Sequence, residues 1–241
     1  MMILITRPKD ESNILADELS KYKIKTCIEP LISFSYYKNI YFKNIPANYI
    51  IGSTRSVDVL EKNFSRFKNI LEIGNFYIVG EKVKNKLQAV GLKNIVDTFG
   101  NSSSLIKFLN QKNFNKNPFI YLCGDIFSNT LLTELKNLEI NIEQKFLYMT
   151  VQRKRLTKRT ALLMVNEKID SVVLFSSYTA ETFIKLISSA KLGEKAKKLQ
   201  FFCLSPSIAD ILKENGFSNA DYCKSSNQQE MIRMIKSYKN I

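Results

Sequence analysis

A chain of 241 residues with 45% hydrophobic side chains is longer than most single domains and holds enough apolar residues for two modest cores. It contains no histidine, which excludes catalytic triads built on histidine, histidine general bases and the commonest metal ligand. Its formal net charge of +14 indicates an anionic partner, although the basic residues are dispersed rather than gathered into one block.

Short apolar runs alternate with amphipathic stretches of about ten to fifteen residues, a pattern typical of parallel sheets flanked by helices. In chain order, strands are predicted at 2–6, 25–29, 49–53, 75–79, 94–97, 118–122, 141–150, 170–176, 200–205 and 219–222. No apolar run approaches the roughly 20 residues of a membrane-spanning helix, and the first residues lack a secretion-signal pattern. We therefore expect an α/β protein in the cytoplasm, with no membrane partner.

The sequence offers no motif for a bound cofactor. The dinucleotide fingerprint GxGxxG and the phosphate loop GxxxxGK[ST] are both missing, which argues against nicotinamide and nucleoside-triphosphate chemistry. The four cysteines form no CxxC pair, so they are expected to be small hydrophobic residues of the core. Acid–base chemistry must therefore use Tyr, Lys, Cys, Asp or Glu.

The chain contains an internal repeat in which a helix, a glycine turn and a strand recur 125 positions later. The matched residues are Val83, Leu87, Gly91 and Asn94 in the first copy and Ile208, Leu212, Gly216 and Asn219 in the second. Both glycines fit the position after a helix that requires a positive φ. A weaker echo, at an offset of 116, relates Leu15, Leu19 and Ile24 to Leu131, Leu135 and Ile140.

The repeat predicts two similar domains, each a parallel sheet flanked by helices. The first β-α-β unit precedes the middle segment, whereas its sheet partners are expected at the far end of the chain. The chain must therefore pass between the two domains twice. Residues 1–33 and 155–241 then form one discontinuous domain, and residues 46–145 form an inserted one. Segments 34–45 and 146–154 connect them as a two-stranded β linker.

Small polar residues follow several predicted strands, at the edge where ligands of open α/β sheets bind. Such loops suit carboxylates or phosphates, but ordinary helix capping by Ser and Thr produces the same composition. The loops begin at Thr6, Ser53, Gly80, Gly124, Ser176 and Ser205.

These segments occur in the order found in uroporphyrinogen-III synthases, and the resemblance covers nearly the whole chain. It includes a crossing strand that reads Leu147-Tyr148-Met149-Thr150 here and a late loop that reads Ser205-Pro206-Ser207. The earlier matches are Ile5-Thr6-Arg7-Pro8, the strand that ends in Ser53, Ile78-Val79-Gly80 and Phe175-Ser176.

The resemblance implies an enzyme that acts on hydroxymethylbilane without a cofactor, in a cleft between two domains. The terminal hydroxyl leaves as water, which generates an electrophilic azafulvene, and the macrocycle closes with inversion of the last pyrrole ring through a spiro intermediate. The protein has to fold the bilane and assist the departure of hydroxide, which are proximity and general-acid tasks. The acetate and propionate groups of this substrate fit the positive charge of the chain.

The resemblance also implies site residues. Tyr148 is expected to protonate the leaving hydroxyl, and a strand tyrosine that merely packs is the alternative. The substrate carboxylates are expected to bind at Arg7, Ser53, Lys82, Ser176, Ser177, Ser205 and Ser207 and at the backbone amides of Gly80 and Gly124. Two of these residues have an alternative: Arg7 can pair with a local acid such as Asp10, and Lys82 can simply be solvated at the start of its helix.

Two other function classes stay open. A non-catalytic protein with this fold could bind an anionic small molecule, or it could bind nucleic acid, although aromatic-interleaved RNA-binding signatures are absent. A nucleotide-sugar transferase is disfavoured because about 100 residues per domain is small for that architecture. No long heptad pattern argues for obligate association, so we expect a monomer that binds no nucleic acid.

Overall fold

The computed structural model describes residues 2–41, 47–92, 94–111, 118–127 and 129–240. It divides into two compact units, which we call the discontinuous unit (Met1–Ser33 and Val151–Ile241) and the inserted unit (Phe34–Thr150). Part of the predicted linker, residues 42–45, lies outside the described residues. Within the described ranges, every helix is too short or too polar to span a bilayer.

The discontinuous unit contains a five-stranded sheet in the order β11-β10-β9-β1-β2, with all neighbouring strands parallel. Elements are numbered along the whole chain. The strands are β1 (Met2–Ile5), β2 (Lys25–Ile28), β9 (Ser171–Leu174), β10 (Gln200–Cys203) and β11 (Ala220–Tyr222). The helices are α1 (Lys9–Ser20), α7 (Lys158–Val165), α8 (Ser177–Ser189), α9 (Gly193–Ala196), α10 (Pro206–Glu214) and α11 (Gln228–Lys239).

The inserted unit contains a six-stranded sheet in the order β3-β8-β7-β4-β5-β6, parallel from β8 to β6. Two strands, β3 (Ile32–Tyr36) and β8 (Ile142–Gln152), carry the chain across the unit boundaries. The other strands are β4 (Asn48–Ile51), β5 (Asn75–Val79), β6 (Ile95–Phe99) and β7 (Phe119–Gly124). The helices are α2 (Thr54–Lys62), α3 (Phe64–Ile73), α4 (Glu81–Ala89), α5 (Ser102–Asn110) and α6 (Thr130–Asn137).

Each sheet has an apolar core on both faces. Along β1, Leu4 packs into one cluster while Ile3 and Ile5 pack into the other, as the two-residue period of a strand requires. The inserted unit repeats this arrangement, with Ile51 on one face of β4 and Ile50 on the opposite face. The predicted α/β class, with parallel sheets flanked by helices, is confirmed.

The repeated helix ends are built in the same way. Gly91 has a φ of 90° and Gly216 a φ of 83°, as predicted for residues that follow a helix. The next residue then donates its N–H to a carbonyl five positions back, at 3.1 Å for Leu92 and 3.0 Å for Phe217. The equivalent residue Ile24, after α1, makes the same bond at 3.2 Å.

A buried carboxylate fastens the start of α7 in the discontinuous unit. The Glu29 side chain has no solvent exposure, and it accepts hydrogen bonds from the hydroxyls of Thr157 and Thr160. It also accepts the backbone N–H of Thr157 at 3.1 Å, and the Arg153 Nε lies 3.3 Å from it. Because Thr157 is the N-cap of α7, this one carboxylate holds both the chain segment before the helix and its first turn.

The four cysteines are free and buried, as predicted, and the fold resists the ionisation of three of them. Burial raises the pKa of Cys123 and of Cys203 to about 12 and that of Cys223 to about 11, from an ordinary value of 9.0. Burial likewise raises the pKa of Tyr49 and of Tyr121 to about 12.

We expect these groups to make the fold sensitive to alkali. In the unfolded chain the thiols lose their protons near pH 9.0, whereas the folded chain keeps them until pH 11 to 12. The stabilising contribution is therefore complete below pH 9 and falls as pH rises toward 12. Urea unfolding at pH 8, 9, 10 and 11 should show a declining free energy of unfolding, and Cys203→Ala should reduce the slope. A constant free energy of unfolding across this range would contradict the expectation.

Candidate active site

A topological switch point lies in the inserted unit between β4 and β7. These strands are neighbours, but the chain leaves β4 toward β5 on one side and leaves β7 toward β8 on the other. Crevices at such points, beyond the carboxyl ends of the strands, are where open α/β sheets bind ligands. Ser53 lies two residues after the end of β4, Gly124 ends β7, and Tyr148 lies on β8. Three predicted site residues therefore come together at this crevice.

Tyr148 is packed around its ring and hydrogen-bonded at its hydroxyl. Its oxygen lies 3.0 Å from Ser53 Oγ, and the edge of the Phe34 ring meets it with centroids 5.5 Å apart at 87°. Only 7% of Tyr148 is exposed. The ring of Tyr148 is therefore buried, as in a tyrosine that only packs, while its hydroxyl has a polar partner, as in a tyrosine that exchanges a proton.

The surroundings keep the Tyr148 phenol protonated. Burial raises its pKa above the ordinary value of 10.0, and the Ser53 hydrogen bond and the positive charge of Arg55 oppose that rise. Ser53 Oγ already accepts the backbone N–H of Arg55 at 3.2 Å, as the N-cap of α2. Ser53 can therefore donate its own proton to the phenol oxygen, which directs the phenol proton elsewhere.

Arg55 lies at this crevice and was not among the predicted site residues. Its guanidinium carbon lies 4.7 Å from the centroid of the Phe34 ring and its Nη1 lies 3.7 Å from Asp58, with 17% of the side chain exposed. Lys86 pairs with the same Asp58. The available signal was its place two residues after Ser53, in the first turn of α2, but sequence alone does not show that its guanidinium packs over Phe34.

Gly80 occupies the predicted loop but not the predicted role. It precedes α4 with a φ of 98°, and its N–H donates to the carbonyl of Phe99 at 2.7 Å, so this amide is already used. The N–H groups in the first turn of a helix have no intrahelical acceptor, so those of α4 are the donors that this loop offers. Lys82, in that turn, is exposed, in keeping with the solvated alternative.

Gly124 is also placed differently from the prediction of an exposed amide. The residue is buried, and the ring of Tyr148 lies against it. Its contact is therefore with the phenol that lies over it.

In the discontinuous unit the switch point lies between β1 and β9, and Arg7 fills it. The Arg7 guanidinium carbon is 4.0 Å from the centroid of the Phe175 ring, which follows β9. Its Nε donates to Glu11 at 2.8 Å, and its Nη1 donates to Gln228 at 2.9 Å. The local-pairing alternative is favoured, with Glu11 as the partner where Asp10 was the expected acid. Arg7 therefore orders this crevice while its charge is balanced.

The predicted serines of this unit differ in how the fold uses them. Ser176 caps α8, because its Oγ accepts the N–H of Thr179 at 3.2 Å, and Ser177 follows it half-buried. Ser205 and Ser207 share a hydroxyl–hydroxyl bond of 2.9 Å, and the Ser205 side chain makes no capping bond to α10. Helix capping thus explains the presence of Ser176, whereas it does not explain that of Ser205 and Ser207.

Comparisons with known proteins identify the family and the fold of this chain. Residues 13–233 match the model of the family described as uroporphyrinogen-III synthase HemD. The structure is similar to uroporphyrinogen-III synthetase of Helicobacter pylori, with 17% identity, 98% of this chain and 99% of that chain covered, and a TM-score of 0.69. It is also similar to a mutant uroporphyrinogen III synthase of Thermus thermophilus, with 12% identity, 100% and 99% coverage and a TM-score of 0.62. These likenesses confirm the fold, and the family model spans nearly the whole sequence, so the chain belongs to the uroporphyrinogen-III synthase family.

Proposed function

We propose that this protein converts hydroxymethylbilane into uroporphyrinogen III in tetrapyrrole biosynthesis, as a cyclising lyase that releases water. The observation that carries the proposal is the family match across residues 13–233. A protonated phenol at the switch point of the inserted unit supports the same chemistry, because the departure of hydroxide requires a general acid.

We assign the general-acid role to Tyr148. The carbon–oxygen bond of the terminal hydroxymethyl group breaks, its electron pair goes to the oxygen, and the phenol proton completes a water molecule. The pyrrole ring supplies the electrons that expel the hydroxide, so no protein nucleophile is needed. Ring closure later releases a proton from the substrate, and that proton restores the phenol. The balance is one water lost and no net change in Tyr148.

The peripheral carboxylates of the substrate call for donors at the strand ends of both units. In the inserted unit, the first turn of α4, which includes Lys82, supplies them, because the Ser53 hydroxyl is directed to the phenol of Tyr148. In the discontinuous unit, the Ser205–Ser207 hydroxyl pair is the best candidate because it is exposed in part and is not used to cap α10. Ser176 and Ser177 begin the neighbouring helix α8 and contribute its first-turn N–H groups. The net charge of +14 attracts a substrate of this kind.

Replacing Ser205 and Ser207 together with alanine is expected to raise KM about tenfold with kcat unchanged, because hydrogen bonds to a charged group are lost. Stability should hardly change, since the Ser205 side chain makes no capping bond to α10. Ser189→Ala is the matched control, because Ser189 lies at the opposite end of α8 and its hydroxyl donates only to the Lys185 carbonyl. Steady-state kinetics checks this, and an unchanged KM for the double variant would remove the pair from the binding site.

The activity itself is tested with freshly generated hydroxymethylbilane. The products are oxidised, and the uroporphyrin I and III isomers are separated by chromatography, with a protein-free reaction in parallel. We expect isomer III to predominate with the protein and isomer I to predominate without it. If both reactions give only isomer I, the protein is a binder of an anionic ligand, which is the alternative function.

A further inference from the structure

The Tyr148 side chain crosses the end of a neighbouring strand to reach its hydrogen-bond partner. In the sheet order β8-β7-β4, Tyr148 lies on β8 and Ser53 follows β4, so β7 stands between them. Adjacent strands are about 4.8 Å apart, which puts the two backbones about 10 Å from each other. The 3.0 Å contact between the two hydroxyls therefore requires the ring to lie across the last residue of β7.

That last residue is Gly124, and a larger residue would not fit beneath the ring. A Cβ built on Gly124 would lie 2.6 Å from Tyr148 Cζ and 2.9 Å from Cδ2, and nearest of all to Cε2. Side-chain carbons essentially never approach each other this closely. The φ of Gly124 is outside the positive range, in contrast to Gly80, Gly91 and Gly216, so its backbone accepts alanine without strain. The three atoms nearest to such a Cβ all belong to the Tyr148 ring, so this ring is what requires glycine here.

A register shift in the sheet produces this alignment. β7 and β8 pair residue by residue up to Cys123 and Phe146, and the next pair is Gly124 with Tyr148, which leaves Leu147 as an extra residue. Bulges of this kind re-aim side chains and concentrate near active sites. The Phe34 edge then holds the ring from another side.

We propose that Gly124 is a positioning residue for the reaction, because its lack of a side chain lets the Tyr148 ring lie across β7 and brings the phenol to Ser53. This inference rests on the proposed role of Tyr148 as the general acid. A displacement of the phenol of about 1 Å is enough to reduce the rate strongly.

The kinetic test is Gly124→Ala, alone and combined with Tyr148→Phe, on hydroxymethylbilane. We expect Gly124→Ala to lower kcat about 10- to 100-fold with KM changed less than about twofold. In the Tyr148→Phe background it should cause no further loss of kcat, since the hydroxyl it displaces is already absent. A kcat for Gly124→Ala equal to that of the unsubstituted protein, or an equal loss in both backgrounds, would overturn the proposal. Gly100→Ala is the control, because a Cβ there meets nothing within 4 Å.

A folding test separates this inference from the proposed function. Gly124→Ala should lower the urea midpoint both with Tyr148 and with Tyr148→Phe, because the ring remains, but not with Tyr148→Ala, which removes it. Equal shifts in all three backgrounds would show that the ring is not what Gly124 accommodates. If Tyr148→Phe turns over at the full rate while the folding pattern holds, the general-acid role fails and the steric role of Gly124 stands.

Discussion

Tyr148→Phe is expected to lower kcat about 100-fold and to leave KM nearly unchanged. The substitution keeps the ring, and with it the contacts to Phe34 and Gly124, and removes only the hydroxyl that we assign to the proton transfer. General acids contribute at least about 100-fold, and the pyrrole supplies its own driving force, so the loss should lie at the lower end of that range. Single-turnover and steady-state kinetics measure it.

The pH dependence of kcat identifies the group that donates the proton. Burial raises the pKa of Tyr148 above 10.0, and a general acid works only while it is protonated, so kcat should persist to pH 10 and fall at higher pH. This alkaline decline should be absent in Tyr148→Phe. Tyr222→Phe, at an exposed tyrosine of β11, is the control and should have normal kinetics. Undiminished turnover of Tyr148→Phe would eliminate the catalytic role.

Glu29→Ala is expected to reduce the free energy of unfolding by about 3 kcal/mol, because it leaves the hydrogen-bond donors around a fully buried position without an acceptor. These donors are the hydroxyls of Thr157 and Thr160 and the backbone N–H of Thr157. Glu29→Gln keeps an acceptor of the same shape and should lose about half as much. Urea unfolding, monitored by circular dichroism, measures the free energy of unfolding of both variants.

The matched control for this prediction is Glu194→Ala. Glu194, like Glu29, has a basic partner, which is Lys197, but the Glu194 side chain is 88% exposed, and exposed pairs contribute little. Its free energy of unfolding should change by less than about 0.5 kcal/mol. If Glu29→Ala changed the free energy of unfolding by no more than Glu194→Ala does, water would be replacing the lost carboxylate. That result would contradict the burial of Glu29 described above.

Strand positions and helix ends could be predicted because both leave local signals in the sequence. A strand such as β9 is buried at every position, so all its residues after Ser171 form an uninterrupted apolar run. Gly91 and Gly216 stand out because few other residues adopt a positive φ readily. By contrast β3, whose residues are all half-buried or exposed, has no apolar run and was recognised only as part of a linker.

The details of the site could not be predicted, because they depend on contacts between distant residues. The bulge that aligns Tyr148 with Gly124 is a property of two paired strands, and neither strand shows it alone. Arg7 stacks on Phe175 and bonds to Gln228, which are 168 and 221 residues away, so only Glu11, four residues on, was within local reach. The resemblance led to Tyr148, but it indicated Ser53 and Gly124 only as residues that bind carboxylates and not as residues that orient the phenol.

The position of β1 in the middle of its sheet has a consequence for synthesis on the ribosome. Ile3 on β1 pairs with Ser171 on β9, so about 170 residues must be made before this strand can gain its second neighbour. At about 5–20 residues per second, that interval is roughly 10–30 s. The inserted unit ends at Thr150 and can fold within this time, while the chain's first apolar strand waits beside β2 alone. The nascent protein should therefore need protection against aggregation at its N-terminal segment, although that segment is made first.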